Sequence, residues 1–267
     1  MRWRNGPVLR WNKPARRCEV RSHLVLRLHA PLIAFGGEAI DNLGVIRDFP
    51  ALSMVTGLIA NALGWDRSQG AEHNRLQERL RMGCVLEPGT TRLQDYQTAI
   101  LYQKDAAWTT WGEKDVREPS PSYQVDSSGR QTLTQQRYRD YHTNLCAWVA
   151  LALQPAEEMP TLQEIATALD QPARPLFIGR KPCLPTGRLV AGWQVAADIH
   201  SALQALVAAH GTSAHQAPWH AQWPDGEGSQ PGDRLLDICD ERNWISGVHG
   251  GWRPVREAAL QPLTTTS

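Results

Sequence analysis

Cysteine and long apolar runs are both scarce in this chain of 267 residues. The five cysteines are widely spaced, odd in number and without a CxxC pair, so they predict neither a disulfide framework nor a zinc ribbon. This usage favours a reducing, cytoplasmic compartment. The longest uninterrupted apolar run, residues 145–153, is far shorter than the roughly 20 residues that a membrane-spanning helix needs. The basic first 22 residues lack the apolar stretch of a secretory signal, so we expect no membrane partner.

Net charge is also nearly absent, because 28 Lys and Arg face 27 Asp and Glu. The charge is unevenly placed, however. Residues 1–22 carry +6, which leaves −5 for the other 245 residues. We expect 1–22 to be a flexible basic arm that precedes a single domain over 23–267. Any polyanion site on that domain must be a local patch. One such patch, residues 171–190, holds no acid and four basic residues, namely Arg174, Arg180, Lys181 and Arg188.

Strong signatures of catalysis are missing as well. The sequence has no paired-carboxylate pattern, no P-loop and no nucleophile elbow. His210, His215 and His220 recur every five residues, but they lie in a stretch rich in Gly, Ser, Pro and Trp. That composition predicts a solvated, variable loop over about 211–232 rather than a metal site. We therefore predict no catalytic residue, no bound metal and no cofactor.

Hydrophobic periodicity predicts several strands and helices. Apolar alternation or short apolar runs predict strands at 23–29, 83–87, 92–99, 145–153, 176–178 and 188–195. Spacings of three and four residues predict helices at 51–63, 71–81 and 161–171. Thr161 and Glu164 form a capping-box pattern at the start of the last helix. The strand at 23–29 has Leu24, Leu26 and Leu28 on one face, which predicts a half-buried strand.

One stretch interrupts this order. Residues 101–137 contain prolines, glycines and adjacent serines, together with Trp108 and Trp111. A structureless loop of that length is uncommon in a compact domain, so we predict a projecting, hairpin-like insertion. The remaining order of strand, helix, two strands, helix and strand is typical of a ferredoxin-like α+β fold.

The helix at 51–63 is open to two interpretations. Pro50 precedes it and Gly64 follows it, while Ser53 and Gly57 keep one side small. The helix either packs closely on a sheet or offers its N-terminal amides to a phosphate.

Three segments join a glycine-containing turn to Arg or Lys, namely residues 26–37, 47–64 and 175–185. Such turns let backbone amides approach a phosphate, while Arg forks bind it. Nearby aromatic rings could stack on unpaired bases, and the candidates are Phe35, Phe49, Tyr138 and Tyr141. These patterns favour RNA as the polyanion.

Taken in order, these segments resemble a known family. The same pattern includes DYQT at 95–98, YRDY at 138–141 and a late Arg242-Asn-Trp244. The chain resembles the CasD family, the "Cas five" RAMP subunits of type I-E CRISPR Cascade complexes. The resemblance covers about 23–200, with a weaker match at 236–252.

The resemblance implies a ferredoxin-like RNA-recognition (RRM/RAMP) domain whose insertion at 101–137 is a β-hairpin thumb. It implies a subunit that caps the 5′ handle of the crRNA and contacts the CasC backbone subunit and the CasA large subunit. Target DNA would be met through the assembled complex. The implied RNA-binding residues are Arg27, Phe35, Gly36, Arg47, Ser53, Asn61, Arg139, Gly179, Arg180 and Lys181. Trp108 and Trp111 would lie on the thumb.

Two other functions stay open. A type I-C relative cuts precursor crRNA, so a metal-independent endoribonuclease acting on repeat RNA is the main alternative. It would need a general base, for which His29 and His142 are candidates. Tyr141 and His142 are adjacent, so on a strand their side chains point to opposite faces. In type I-E systems a separate subunit, CasE, does the cutting, and we therefore predict a non-catalytic subunit. The other possibility is a scaffold that contacts only proteins through the tryptophan-rich insertion.

Overall fold

The computed structural model describes residues 20–37, 40–109, 112–116, 121–211 and 217–262. Almost all of the basic arm, and Trp111, lie outside these ranges. The helices are α1 (Leu52–Ala62), α2 (Gly70–Arg79), α3 (Leu162–Asp170) and α4 (Ile199–His210). The strands are β1 (Arg21–His29), β2 (Leu32–Ile33), β3 (Leu43–Gly44), β4 (Leu80–Leu86), β5 (Thr91–Tyr102), β6 (Ala107–Trp108), β7 (Lys114–Asp115), β8 (Gln124–Val125), β9 (Gln131–Thr143), β10 (Cys146–Leu153), β11 (Val190–Ala196), β12 (Trp219–Pro224), β13 (Arg234–Ile238) and β14 (Arg253–Leu260).

Seven strands form one antiparallel sheet in the order β11-β1-β10-β4-β12-β14-β13. Helices cover it on both sides. Leu24, Leu26 and Leu28 of β1 are buried in a core that also holds the apolar faces of α1 and α3. Val25 points the other way, into a second core built around α4 and two tryptophans of β12. The fold is therefore a mixed α/β structure with a sheet between helices.

The prediction of a half-buried β1 is corrected by that second core. Val25 and His23, on the face expected to be polar, are both almost completely buried. The cause is α4, a helix absent from the sequence-based prediction, which packs across this face. The capping box of α3 is confirmed, since Thr161 accepts the Glu164 amide while the Glu164 carboxylate accepts the Thr161 amide.

Two predicted segments differ from the structure. The predicted loop at 211–232 contains β12, whose residues alternate between buried and more exposed positions. Pairing with β4 and β14 sets this strand, a tertiary cause that local composition does not report. The predicted strand at 176–178 is instead part of a turn, in which the Ile178 amide donates to Cys183 and the Ile178 carbonyl accepts from Ala34.

A long hairpin leaves the main sheet. Its strands β5 and β9 pair antiparallel from Thr91 and Thr143 to Tyr102 and Thr132, so pairing begins outside the predicted 101–137 insertion. Short strands β2 and β3 pair with β9 at the base of the hairpin. Most of β5 is exposed. No helix in the described residues is long and apolar enough to cross a membrane.

Candidate functional site

Two neighbouring cavities lie along α1. The smaller, of about 290 Å³, lies between the start of α1, the glycine loop after β2 and the turn at 179–180. Four residues predicted from the sequence line it, namely Gly36, Ser53, Gly179 and Arg180. The fold therefore brings together parts of all three glycine-containing segments.

Gly179 makes this convergence possible. Its φ is +89°, a left-handed conformation that glycine adopts readily. A Cβ at this position would lie 1.8 Å from the carbonyl oxygen of Ala34. The turn therefore packs backbone against backbone on the loop that follows β2, and only glycine fits there.

Arg180 ties the same turn to the base of the hairpin. Its Nη1 donates to the Asp140 carbonyl at 2.8 Å and its Nη2 donates to the Gly44 carbonyl at 2.7 Å. The guanidinium also lies 4.8 Å from the ring centroid of Tyr141. We call this arrangement the Arg180 clasp. Much of the hydrogen-bonding capacity of Arg180 is thus used within the protein.

Arg139 and Lys181 differ from Arg180. Arg139, on β9 beside Gly44, has a buried Nε with no hydrogen-bond partner among the described residues. Lys181 is exposed, immediately after the clasp. A buried, unsatisfied guanidinium donor is unfavourable unless another group completes its hydrogen bonding. Both residues neighbour the clasp, Arg139 through its contact with Gly44 and Lys181 through the sequence, although neither lines the smaller cavity.

The N-terminus of α1 does not offer its first amides to a ligand. The Leu52 amide donates to the Asp240 carboxylate at 2.9 Å, and the Ser53 amide donates to the Asp240 carbonyl at 3.0 Å. Of the two interpretations left open by the sequence, the structure supports close packing on the sheet. Ser53 is nearly buried and lines the cavity edge.

The larger cavity, of about 740 Å³, continues toward the C-terminal end of α1. Asn61 lines it, and its Nδ2 donates to the Pro175 carbonyl at 3.0 Å. Arg174 binds the carbonyls of Gly64 and Trp65 at this end of the helix. Several lining residues were not among the predicted site residues. They are Trp65, His73, Arg242, Trp244 and, in the smaller cavity, His249.

Arg242 and Trp244 line both cavities. The only sequence signal for them was the Arg-Asn-Trp pattern at 242–244, which supported the family resemblance but carried no site prediction.

Besides Arg139 and Lys181, three predicted residues do not line these two cavities. Arg27 is on the α4 side of the sheet, where its Nε donates to the Cys146 sulfur at 3.4 Å. Arg47 donates to the Cys239 carbonyl at 2.7 Å, and lines a separate small cavity. Phe35 is completely buried and its ring centroid lies 5.6 Å from that of His142. The prediction that Phe35 stacks on a base is therefore wrong, because its ring belongs to the core.

The other predicted aromatic contacts are mixed. Phe49 and Tyr141 are nearly buried, so they have little ring surface for a base. Tyr138 is half-buried, and its ring centroid lies 5.1 Å from that of Tyr96 on the other strand of the hairpin. Trp108 is two-thirds exposed on β6, within the span between β5 and β9.

The histidines proposed as general bases have other contacts. His142 is buried, and its Nε2 lies 2.8 Å from the Arg47 carbonyl. Burial lowers the pKa of His142 below its ordinary value. His29 has its Nδ1 2.8 Å from the Thr186 hydroxyl. Burial also raises the pKa of the Cys146 thiol to about 12, which disfavours the reactive thiolate. Within the described ranges, no group of three metal-ligating side chains could hold a metal ion.

Comparisons with known proteins agree with the family resemblance. The family model described as CRISPR-associated protein (Cas_Cas5) matches residues 23–256. The chain is 26% identical over 184 residues to the CRISPR system Cascade subunit CasD of Escherichia coli (strain K12), covering 69% of this chain and 76% of that protein. It is similar in fold to a chain of a CRISPR RNA-guided surveillance complex, with a TM-score of 0.63 at 20% identity, covering 91% of this chain and 92% of the other. Because the family model spans most of its length, this chain belongs to the Cas_Cas5 family of CRISPR-associated proteins.

Proposed function

We propose that the chain is a non-catalytic crRNA-binding subunit of a type I-E CRISPR Cascade surveillance complex, and that it caps the 5′ handle of the crRNA. The observation that carries this proposal is the smaller cavity. In a chain of this family, parts of three glycine-containing segments meet there with Arg180, which Lys181 follows directly in sequence. Arg139, with its unsatisfied Nε, adjoins Gly44, whose carbonyl accepts from Arg180. Glycines that line the cavity let an RNA backbone approach closely, and the nearby cations neutralise its phosphates.

The strand order supports the finer fold assignment in this proposal. In chain order β1, α1, β4, β10, α3 and β11 give strand, helix, two strands, helix and strand, and the four strands lie in the order β11-β1-β10-β4. Both α1 and α3 cover the same face. This order supports a ferredoxin-like RRM/RAMP domain. The β5/β9 hairpin is then the thumb.

The hairpin also supports a role in assembly. Leu93, Tyr96 and Ile100 of β5 are each about half exposed. Apolar side chains along a projecting strand are typical of a surface that another molecule covers. In the proposed assembly the thumb folds over the RNA and contacts the CasC backbone subunit, the CasA large subunit lies alongside, and target DNA is reached through the complex.

The absence of catalysis rests on the positions of the candidate bases. A general base must reach the 2′-hydroxyl of the RNA. The His142 ring is instead enclosed by Phe35 and the Arg47 carbonyl, and its lowered pKa reflects that burial. His29 remains the accessible candidate for the alternative, an endoribonuclease acting on repeat RNA.

The test measures both binding and cleavage of a labelled CRISPR repeat RNA by the full chain, with EDTA, across a salt series. We expect binding without cutting, weakened by salt, and weakened further in Lys181→Ala. Arg234→Ala is the matched control, because it also removes one exposed cation, on β13, and should leave affinity unchanged.

Other outcomes identify the competing functions. Cutting at one position that is lost in His29→Ala with binding retained would identify the endoribonuclease. RNA binding that is missing both for the chain alone and with the backbone and large subunits present would leave the protein-only scaffold.

A further inference from the structure

Arg242 lies where the two cavities meet. Arg242 and Trp244 are the only described residues that line both of them. The volume of the larger cavity is in the range that small-ligand sites occupy. An RNA strand that runs along α1 from the smaller cavity into the larger one therefore has to pass Arg242.

A buried glutamine fixes the backbone of Arg242. The Nε2 of Gln77, on α2, donates to the Arg242 carbonyl at 3.1 Å, and its Oε1 accepts the Arg242 amide at 3.2 Å. The same Oε1 accepts the indole N–H of Trp244 at 3.0 Å. The Gln77 side chain thus makes both a donor and an acceptor hydrogen bond to the Arg242 backbone, as a neighbouring β-strand would. These bonds hold the chain at Arg242 against α2.

Trp244 fixes the side chain. The Arg242 guanidinium lies 5.1 Å from its ring centroid, within the range of a cation–π contact. Trp244 itself packs on the helices at two glycines. A Cβ at Gly57 would lie 3.1 Å from the indole Cη2, and one at Gly70 would lie 2.9 Å from the Trp244 carbonyl oxygen. The guanidinium is therefore held in place before any ligand binds.

The positive charge held there has no acid to neutralise it. The Nε of Arg242 is buried with no hydrogen-bond partner, and no described residue forms an ion pair with Arg242. Asp66, in the larger cavity, instead accepts from the Ser68 hydroxyl and amide. Burial and the nearby Asp240 charge raise the pKa of Glu241, and among the described residues no ion pair joins Glu241 to Arg242.

We propose that Arg242 binds one backbone phosphate of the RNA at the junction of the two cavities, with Gln77 and Trp244 as its positioning residues. The inference rests on the proposed function, which it deepens by adding a second arginine, besides Arg180, that lines the smaller cavity. A planar guanidinium fork held without a carboxylate partner matches the oxygens of a phosphodiester.

The test uses the full chain and a fluorescein-labelled single-stranded repeat RNA, with the dissociation constant measured over about 50 to 300 mM salt. Arg242→Gln should weaken binding about ten-fold. It should also lower the slope of log affinity against log salt concentration by about 0.7, the value for one phosphate contact on a single strand. We call this quantity the salt slope. Arg242→Lys should retain the slope but lose affinity, because it keeps the charge without the fork. Arg234→Gln removes the same charge on β13 and should change neither quantity.

A second variant separates positioning from charge. Gln77→Leu should weaken RNA binding while every cation remains, and near-ultraviolet circular dichroism reports whether the fold is retained. If Arg242→Gln does not fold, Arg242→Lys is the deciding variant. An RNA affinity of Arg242→Lys equal to that of the wild type then overturns the inference. Salt-dependent RNA binding by the wild type that is identical in slope and affinity in Arg242→Gln also overturns it, while leaving the proposed function intact. Failure of the wild type to bind RNA, both alone and with the backbone and large subunits present, overturns both.

Discussion

The carboxylate of Asp240 accepts the Leu52 amide at 2.9 Å, although the two residues are 188 positions apart in the chain. The same carboxylate receives two hydrogen bonds from Arg253, at 2.8 and 2.7 Å. Asp240 is almost completely buried. One acid therefore joins the start of α1 to β14, and neutralises the helix end that would otherwise attract an anion.

Replacing Asp240 by Asn should destabilise the protein, because the substitution leaves the Arg253 guanidinium partly buried without its counter-charge. We expect a loss of about 3 kcal/mol in the free energy of unfolding, measured by urea denaturation. Asp170→Asn is the control, since Asp170 pairs with the mostly exposed Arg188 and its loss should change stability by less than about 1 kcal/mol. Equal effects of the two substitutions would contradict this assignment.

Replacing Gly179 by Ala should disrupt the turn on which the smaller cavity depends. The added Cβ meets the Ala34 carbonyl and the backbone conformation is left-handed, so we expect a loss of about 2 kcal/mol or more. Gly187→Ala provides a matched comparison, because no heavy atom lies within 4 Å of a Cβ there. Thermal unfolding of both variants measures the difference, and a Gly179→Ala protein as stable as wild type would show that the turn can move.

Removing Arg180 should act on folding as well as on RNA affinity. Two hydrogen bonds from the guanidinium to backbone carbonyls and the contact with Tyr141 are lost together. We expect Arg180→Ala to cost about 2 kcal/mol of stability. Hydrogen exchange at the hairpin base should accelerate in the same variant. Lys181→Ala should stay within about 0.5 kcal/mol of wild type, as an exposed residue without partners in the clasp. An Arg180→Ala protein of unchanged stability would assign Arg180 to ligand binding alone.

The buried His142 should make stability depend on pH. Its pKa in the folded protein lies below the ordinary value of 6.5 because burial disfavours the charged ring. The unfolded chain therefore takes up this proton first as the pH falls below about 6.5. The contribution of His142 to the free energy of unfolding is thus fully present above about pH 6.5. It is lost progressively as the pH falls to the lower pKa of the folded state. His142→Gln should flatten the profile of unfolding free energy between about pH 7.5 and 5. Parallel profiles for the two proteins would rule this out.

The predictable parts of the fold are those encoded by local sequence. Alternating leucines identify one face of β1, and the Thr161–Glu164 pair identifies the start of α3. Strand β12 was not predicted, because its position between β4 and β14 depends on pairing with distant strands. The burial of Val25 likewise depends on α4, which packs on it from far along the chain.

The site shows the same division. Glycine-containing turns beside Arg or Lys identified the segments that line the smaller cavity. Whether a given side chain faces the cavity is decided by contacts that sequence spacing does not contain. Arg180 bonds to residues 40 and 136 positions away, and Phe35 lies in the core although it adjoins a cavity-lining glycine. Arg242 was missed because its backbone is fixed by Gln77, 165 positions earlier.

The β5/β9 hairpin also has a mechanical consequence. Twelve residues of extended strand reach about 40 Å, and among the described residues the strands outside the hairpin that pair with it, β2 and β3, do so near its base. A load applied near its free end acts through that long lever arm on its root, where Arg180 holds the carbonyls of Gly44 and Asp140. The root adjoins the smaller cavity, because Arg180 also lines that cavity. A single arginine is consequently in contact with both the support of the lever and the wall of the cavity.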